Sequence, residues 1–154
     1  MNRPFHFYRF GSRDEFEMWL FRLPDVQVEF IKFFSQQAQQ KLDYSVASLD
    51  ALEAWLLEKY QTADEIQQLG QRDIHTGVAS YLGGLYVRHL GSTWNTNLED
   101  VDDIYYALPV VKWDDSTDCP LATVTTSLAR RRGDFLSAGL SRRVAAQQNQ
   151  LVTG

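Results

Sequence analysis

The chain of 154 residues has one cysteine, three histidines and no long apolar run. Each shortage excludes something. With Cys119 alone, neither a disulfide within the chain nor a cysteine-rich zinc site can form. A membrane-spanning helix needs roughly 18 or more apolar residues in succession, and no segment approaches that. The opening MNRPFHFYRFGSRDEF carries basic residues but lacks the apolar stretch of a secretory leader. No His-x-x-x-His or Cys-x-x-Cys spacing is present. On one helix His75 and His89 would stand about 21 Å apart, and His6 is remote in sequence. The expectation is a soluble, cytoplasmic protein without metal or cofactor, built as one domain over 1–154 with a polar, frayed tail at 147–154.

What is present is enough apolar material for a core, with 44% hydrophobic and 13% aromatic residues. The net charge of -5 is unevenly spread. Residues 1–94 carry 9 basic and 12 acidic groups, 95–118 carry 1 and 7, and 119–154 carry 5 and 1. An acidic segment followed by a basic one bears on electrostatic partners and not on fold.

Helical signals dominate the first half. Ser12 with Glu15 forms a capping box, and Phe16, Trp19, Leu20 and Leu23 recur at helical spacing until Pro24, which predicts a helix over 12–22. Val26, Phe30, Phe33, Phe34 and Ala38 predict a second, amphipathic helix over 25–41. Ser48 opens a third, ending near Tyr60. Thr62 with Glu65 opens a short fourth that Gly70 terminates.

The stretch HTGVASYLGGLYVRHLGSTW, residues 75–94, raises the main structural question. At 100° per residue, Ala79, Gly83, Thr76, Ser80, Gly84 and Gly77 occupy one continuous arc, and Tyr81, Ile74, Leu85, Val78, His89 and Leu82 oppose it. Neither arc is charged, so a helix over 73–90 should be buried nearly all round and stop at Gly91. Three interior glycines cost about 3 kcal/mol against alanine. Close approach of another element offsets that cost; the alternatives are backbone bared for a ligand and a break at Gly83-Gly84.

Beyond Gly91 the aromatic and β-branched stretches predict two or three short strands, near 92–96, 103–107 and 110–113. Pro120 opens a helix that reaches Arg130, Arg131 and Arg132 and closes at Gly133, and a last helix follows over 134–146. The fold class is α+β, mainly helical, with a central buried glycine-rich helix and a small antiparallel sheet. YLGGLYVRHLGSTW, YYALPVV and CPLATVTTSLARRRGDFL together resemble small bacterial proteins of uncharacterised function that share a Leu-Gly-x-x-Trp turn and a Cys-Pro-Leu segment leading to Leu-x-Arg-Arg. Ala107 stands where that pattern has glycine. A looser likeness is to single-domain immunity proteins, which neutralise toxins by binding them.

Tests for chemistry mostly fail. Asp114, Ser116 and Asp118 match the first, third and fifth positions of a calcium loop, but Cys119 replaces its glycine and Thr125 its terminal glutamate. The glycines match neither a nucleophile elbow nor a phosphate loop. Arg130, Arg131, Arg132, Arg142 and Arg143 could touch phosphates, but a pI near 5.1 without interleaved aromatics argues against nucleic acid. Pairing of these arginines with the acidic segment is expected instead. The leading expectation is a non-enzymatic, immunity-like module. Its acidic segment, Glu99, Asp100, Asp102 and Asp103 with Asp114 and Asp115, flanked by Trp94 and Trp113, meets a basic protein partner. The alternative is a small-molecule or enzymatic pocket near the central helix and Cys119, whose thiol would sit at a helix N-terminus.

Overall fold

A computed structural model describes residues 4–153. Helix α1 (Arg13–Lys32) follows a short 3₁₀ turn at His6–Tyr8, and α2 (Gln36–Lys41), α3 (Ser48–Lys59), α4 (Ala63–Ile66) and α5 (Arg72–Leu90) come next. Strands β1 (Thr93–Asn95), β2 (Val110–Trp113) and β3 (Ser116–Asp118) form an antiparallel sheet in that order, and α6 (Pro120–Arg130) and α7 (Phe135–Thr153) complete the chain. This is the mainly helical α+β architecture expected from the sequence. No helix among the described residues is long and apolar enough to cross a membrane.

Helix α5 is the unbroken interior rod that its glycine spacing predicts. It is buried continuously from Gly77 to Tyr86 and ends at Gly91 in the left-handed conformation, φ 68°. Close packing accounts for its glycines. A Cβ on Gly77 would fall 2.8 Å from Cγ of Phe30, and one on Gly83 would overlap Cζ2 and Cη2 of the Trp94 indole. At Gly84 the neighbour is the side-chain amide of Gln27, which donates to the carbonyl of Ser80 at 3.0 Å. Thus α1 and β1, from either side in sequence, lay side chains directly on the α5 backbone.

Several expected boundaries move. Pro24 does not end the first helix, which runs on to Lys32. An interior proline costs about 3 kcal/mol; burial of Phe16, Leu23 and Phe30, spaced two turns apart on the face toward the core, offsets it. The chain breaks instead at Phe33–Ser35, where the Ser35 hydroxyl caps α2 through the Ala38 amide. Ala47, not Ser48, is the N-cap of α3, and α4 ends at Ile66, ahead of Gly70. Arg131 supplies the left-handed residue after α6, φ 54°, before Gly133. Helix α7 continues past 146 to Thr153, so 147–153 is helical; residue 154 lies outside the described residues.

The expected strand at 103–107 is a series of turns. The Asp103 carboxylate accepts the Tyr105 amide at 2.8 Å and the Asn97 side chain at 2.9 Å, and Ala107 bonds back to the Asn97 carbonyl. Local side-chain bonding of this kind competes with strand pairing. Ala107 adopts φ 63°, the conformation for which glycine is the usual choice. The third strand is 116–118, joined to β2 by the two-residue turn Asp114–Asp115. Two crossed caps fix the last helices: Glu53 of α3 accepts the amides of Phe135 and Leu136 at the start of α7, and the Arg131 guanidinium donates to the carbonyls of Leu57, Tyr60 and Gln61 at the end of α3.

Candidate functional site

The sheet divides the acidic segment that looks continuous in sequence. Residues 96–109 leave β1 and re-enter β2 at the Asn95–Val110 end, whereas Asp114 and Asp115 turn the chain at the Trp113–Ser116 end. About four residues of strand, roughly 3.3 Å each, separate the two groups. Asp114 lies toward α7, 3.5 Å from the Gln147 side chain. Trp94 and Trp113 both pack inward and are half-buried, Trp94 on Gly83 and Trp19, Trp113 on Tyr86. Glu99, Asp100 and Asp102 are exposed, with Val101 and Ile104 exposed among them. Asp103 is occupied: the Tyr105 amide, then the Asn97 amide, hold its carboxyl below the ordinary range.

A groove of about 1040 Å³ lies elsewhere, beside α5. One wall is α1, contributing Met18, Trp19, Arg22, Asp25 and Glu29, with Phe33 at its C-cap. The other wall is the segment Phe7–Phe10 with the start of α6, and Thr76 and Gly77 of α5 lie between them. Phe33, Met18 and Phe7 are 61%, 51% and 45% exposed although large and apolar. Arg22 and Asp25 make no hydrogen bond or ion pair among the described residues, and Glu29 pairs with Lys32 at 3.8 Å. The acidic loop borders this groove. The Phe10 amide bonds to the Ala107 carbonyl at 2.8 Å, Arg9 donates to the Tyr106 carbonyl, and Arg13 donates to the Thr96 carbonyl at 3.3 Å.

The two side chains best suited to catalysis are sealed beneath it. His75 is fully buried: its Nε2 donates to the Leu121 carbonyl at 3.0 Å, which leaves Nδ1 to accept the Tyr8 hydroxyl at 3.1 Å. Burial pushes His75 down to about 4 and the Tyr8 hydroxyl up to about 12, so the ring stays neutral and the phenol stays protonated. Cys119 is the N-cap of α6, as expected, yet it is fully buried, and burial drives its thiol up to about 12 against the pull of the Ala122 and Leu121 amides. Its Sγ faces the Pro109 carbonyl at 3.7 Å. A thiol held this way reacts more slowly than a free one. His89 is a satisfied edge histidine, 2.8 Å from the Tyr44 carbonyl. No cluster of three potential metal ligands occurs among the described residues.

The basic residues near the end of the chain only partly meet the acidic segment. Arg131 caps α3, Arg132 pairs with Asp134 at 3.4 Å, and Arg143 reaches Asp118 at 3.7 Å. No protein-family model matches the chain, and neither a curated protein nor a solved structure does.

Proposed function

We propose that the protein is a non-enzymatic binding module that receives a segment of a partner protein in the groove between α1 and residues 7–10. The observation that carries this reading is the exposure of Phe7, Met18 and Phe33 around an aromatic groove that also holds Trp19 and Trp94. Large apolar and methionine side chains left open at the rim of a concavity are characteristic of protein interaction sites. The acidic loop beside the groove selects a basic partner: Glu99, Asp100 and Asp102 accelerate encounter, and Val101 and Ile104 extend the apolar contact. Burial of His75 and Cys119 supports binding over catalysis. The likeness to immunity proteins fits the same mode of action, in which one protein works by covering another.

A displayed peptide library tests the reading. Peptides combining apolar residues with Lys or Arg should be enriched on the native protein and lost on the Met18→Lys, Phe33→Glu double variant, both positions being exposed. Glu99→Lys with Asp102→Lys should slow association several-fold and flatten its salt dependence. Equal enrichment on the native protein and the groove variant would remove the groove from consideration.

A further inference from the structure

A second, smaller cavity of about 200 Å³ lies between the sheet, α6 and α7, bounded by Tyr86, Asp118, Thr123, Phe135, Arg142 and Arg143. Its charges are not balanced internally. Arg142 and Arg143 both converge on Gly139: the position a Cβ would take there lies 3.0 Å from Arg143 Nη1 and 4.0 Å from Arg142 Nη2. Arg143 is partly satisfied by the Gly139 carbonyl at 2.9 Å, whereas Arg142 makes no hydrogen bond or ion pair among the described residues. One carboxylate, Asp118, faces these two cations. Its Oδ1 is engaged by the Cys119 amide and the Thr123 hydroxyl, both at 2.9 Å. Its Oδ2 is buried without a hydrogen bond and stands 3.7 Å from Arg143, beyond hydrogen-bond range.

The cavity therefore offers the exposed guanidinium of Arg142, which has no ion-pair partner, and, in the same small space, a buried carboxylate oxygen that has the Arg143 charge at 3.7 Å but no hydrogen bond. Two cations against one anion call for a carboxylate ligand, which guanidinium binds in its fork. A buried acceptor without a donor calls for an N–H, which an ammonium supplies three times over. We propose that this cavity binds a small free α-amino acid, its carboxylate on Arg142 and Arg143 and its ammonium on Asp118 Oδ2. A space of about 200 Å³ suits a small ligand, such as alanine or serine. The Tyr86 hydroxyl, kept protonated first by burial and then by the Asp118 charge, remains a donor at the wall.

The test is calorimetry and thermal shift on the full chain with L-alanine, propionate, ethylamine and inorganic phosphate. Alanine should bind and raise the melting temperature, with propionate and ethylamine at least tenfold weaker because each lacks one charged group. Arg142→Gln, at an exposed position, should weaken alanine at least tenfold while leaving the unliganded melting temperature unchanged. Asp118→Asn keeps the Oδ1 acceptor and replaces only Oδ2, so alanine should fall to the level of propionate. If that variant does not fold, Arg142→Gln and the analogue series decide alone. Propionate or phosphate binding as well as alanine, no response to alanine at millimolar concentration, or binding unaffected by Arg142→Gln would each overturn the proposal.

Discussion

Where α5 meets α1 and β1, the contact is made by rings and one amide laid on bare backbone: Phe30 at Gly77, Trp94 at Gly83, Gln27 at Gly84. Where it meets residues 5–8, the start of α6 and the turn before α3, polar bonds are set within the apolar packing. His75 lies between Tyr8 and the Leu121 carbonyl, and the Tyr81 hydroxyl accepts the Tyr44 amide at 2.9 Å and lies 2.7 Å from the Ser48 hydroxyl. The first region is governed by volume and is indifferent to protons. The second is governed by donor and acceptor count, and so by pH. One helix thus joins two kinds of stability that fail under different insults.

The sharpest way to break the comparison is Gly83→Leu. With no space even for a Cβ beside the indole, the side chain must expel Trp94 or shift α5, and we expect failure to fold or a loss beyond about 3 kcal/mol, the upper range for overpacking. A melting temperature within a few degrees of native would show that Trp94 is not seated as described. Next in size is the response to acid. The unfolded chain takes up a proton on His75 near 6.5, whereas the folded protein does so only near 4. Between these values the unfolded state binds more protons, so stability is intact above 6.5 and falls as pH drops, by about 1.4 kcal/mol per unit and about 3 kcal/mol in all. Denaturant unfolding across that window should show a steeper slope for native protein than for His75→Gln; identical slopes would place the titrating group elsewhere.

A smaller effect is expected of Tyr81→Phe, which strips the Tyr44 amide and the Ser48 hydroxyl of a partner and should lower unfolding free energy by about 1–3 kcal/mol. A change under half that range would mean that water replaces the phenol. Smallest of all is Gly84→Ala. The obstacle is the far end of the flexible Gln27 side chain, 3.1 Å away, which can yield by loosening its bond to the Ser80 carbonyl, and alanine regains about 1 kcal/mol of helix propensity. The two contributions should nearly cancel in a urea titration. A loss as large as that at Gly83 would dissolve the distinction between ring-filled and amide-filled contacts.

How far these features can be read from sequence depends on how local their causes are. The length of α5 and its stop at Gly91 follow from spacing and one left-handed residue, and both are visible in the string. The identity of what fills the glycine face is not, because Phe30 is brought there by a helix that the local rule for Pro24 would have ended. Ile104, Tyr105 and Tyr106 carry strand propensity, yet Asn97 and Asp103 side chains capture the backbone first. For the site, the acidic run was legible as charge, and its division follows from the strand at 110–113 that the sequence predicts, whereas the returning strand 116–118 reads as a polar turn. The groove was not legible at all: the start of α6, which completes its walls, lies almost ninety residues beyond α1, and only the exposure of Phe7, Met18 and Phe33 after folding marks it. The arginines of the smaller cavity were visible as a basic tail, whereas the unpartnered oxygen of Asp118 exists only in three dimensions.

The crossed caps between α3 and the end of the chain carry a consequence for how the molecule opens. Glu53 holds the first amides of α7 while Arg131 holds the last carbonyls of α3, so neither helix can fray at that junction without exposing the other. In deuterated solvent the amides of Phe135 and Leu136 should exchange in step with those of α3, and more slowly than the later turns of α7, making the two helices a single opening unit.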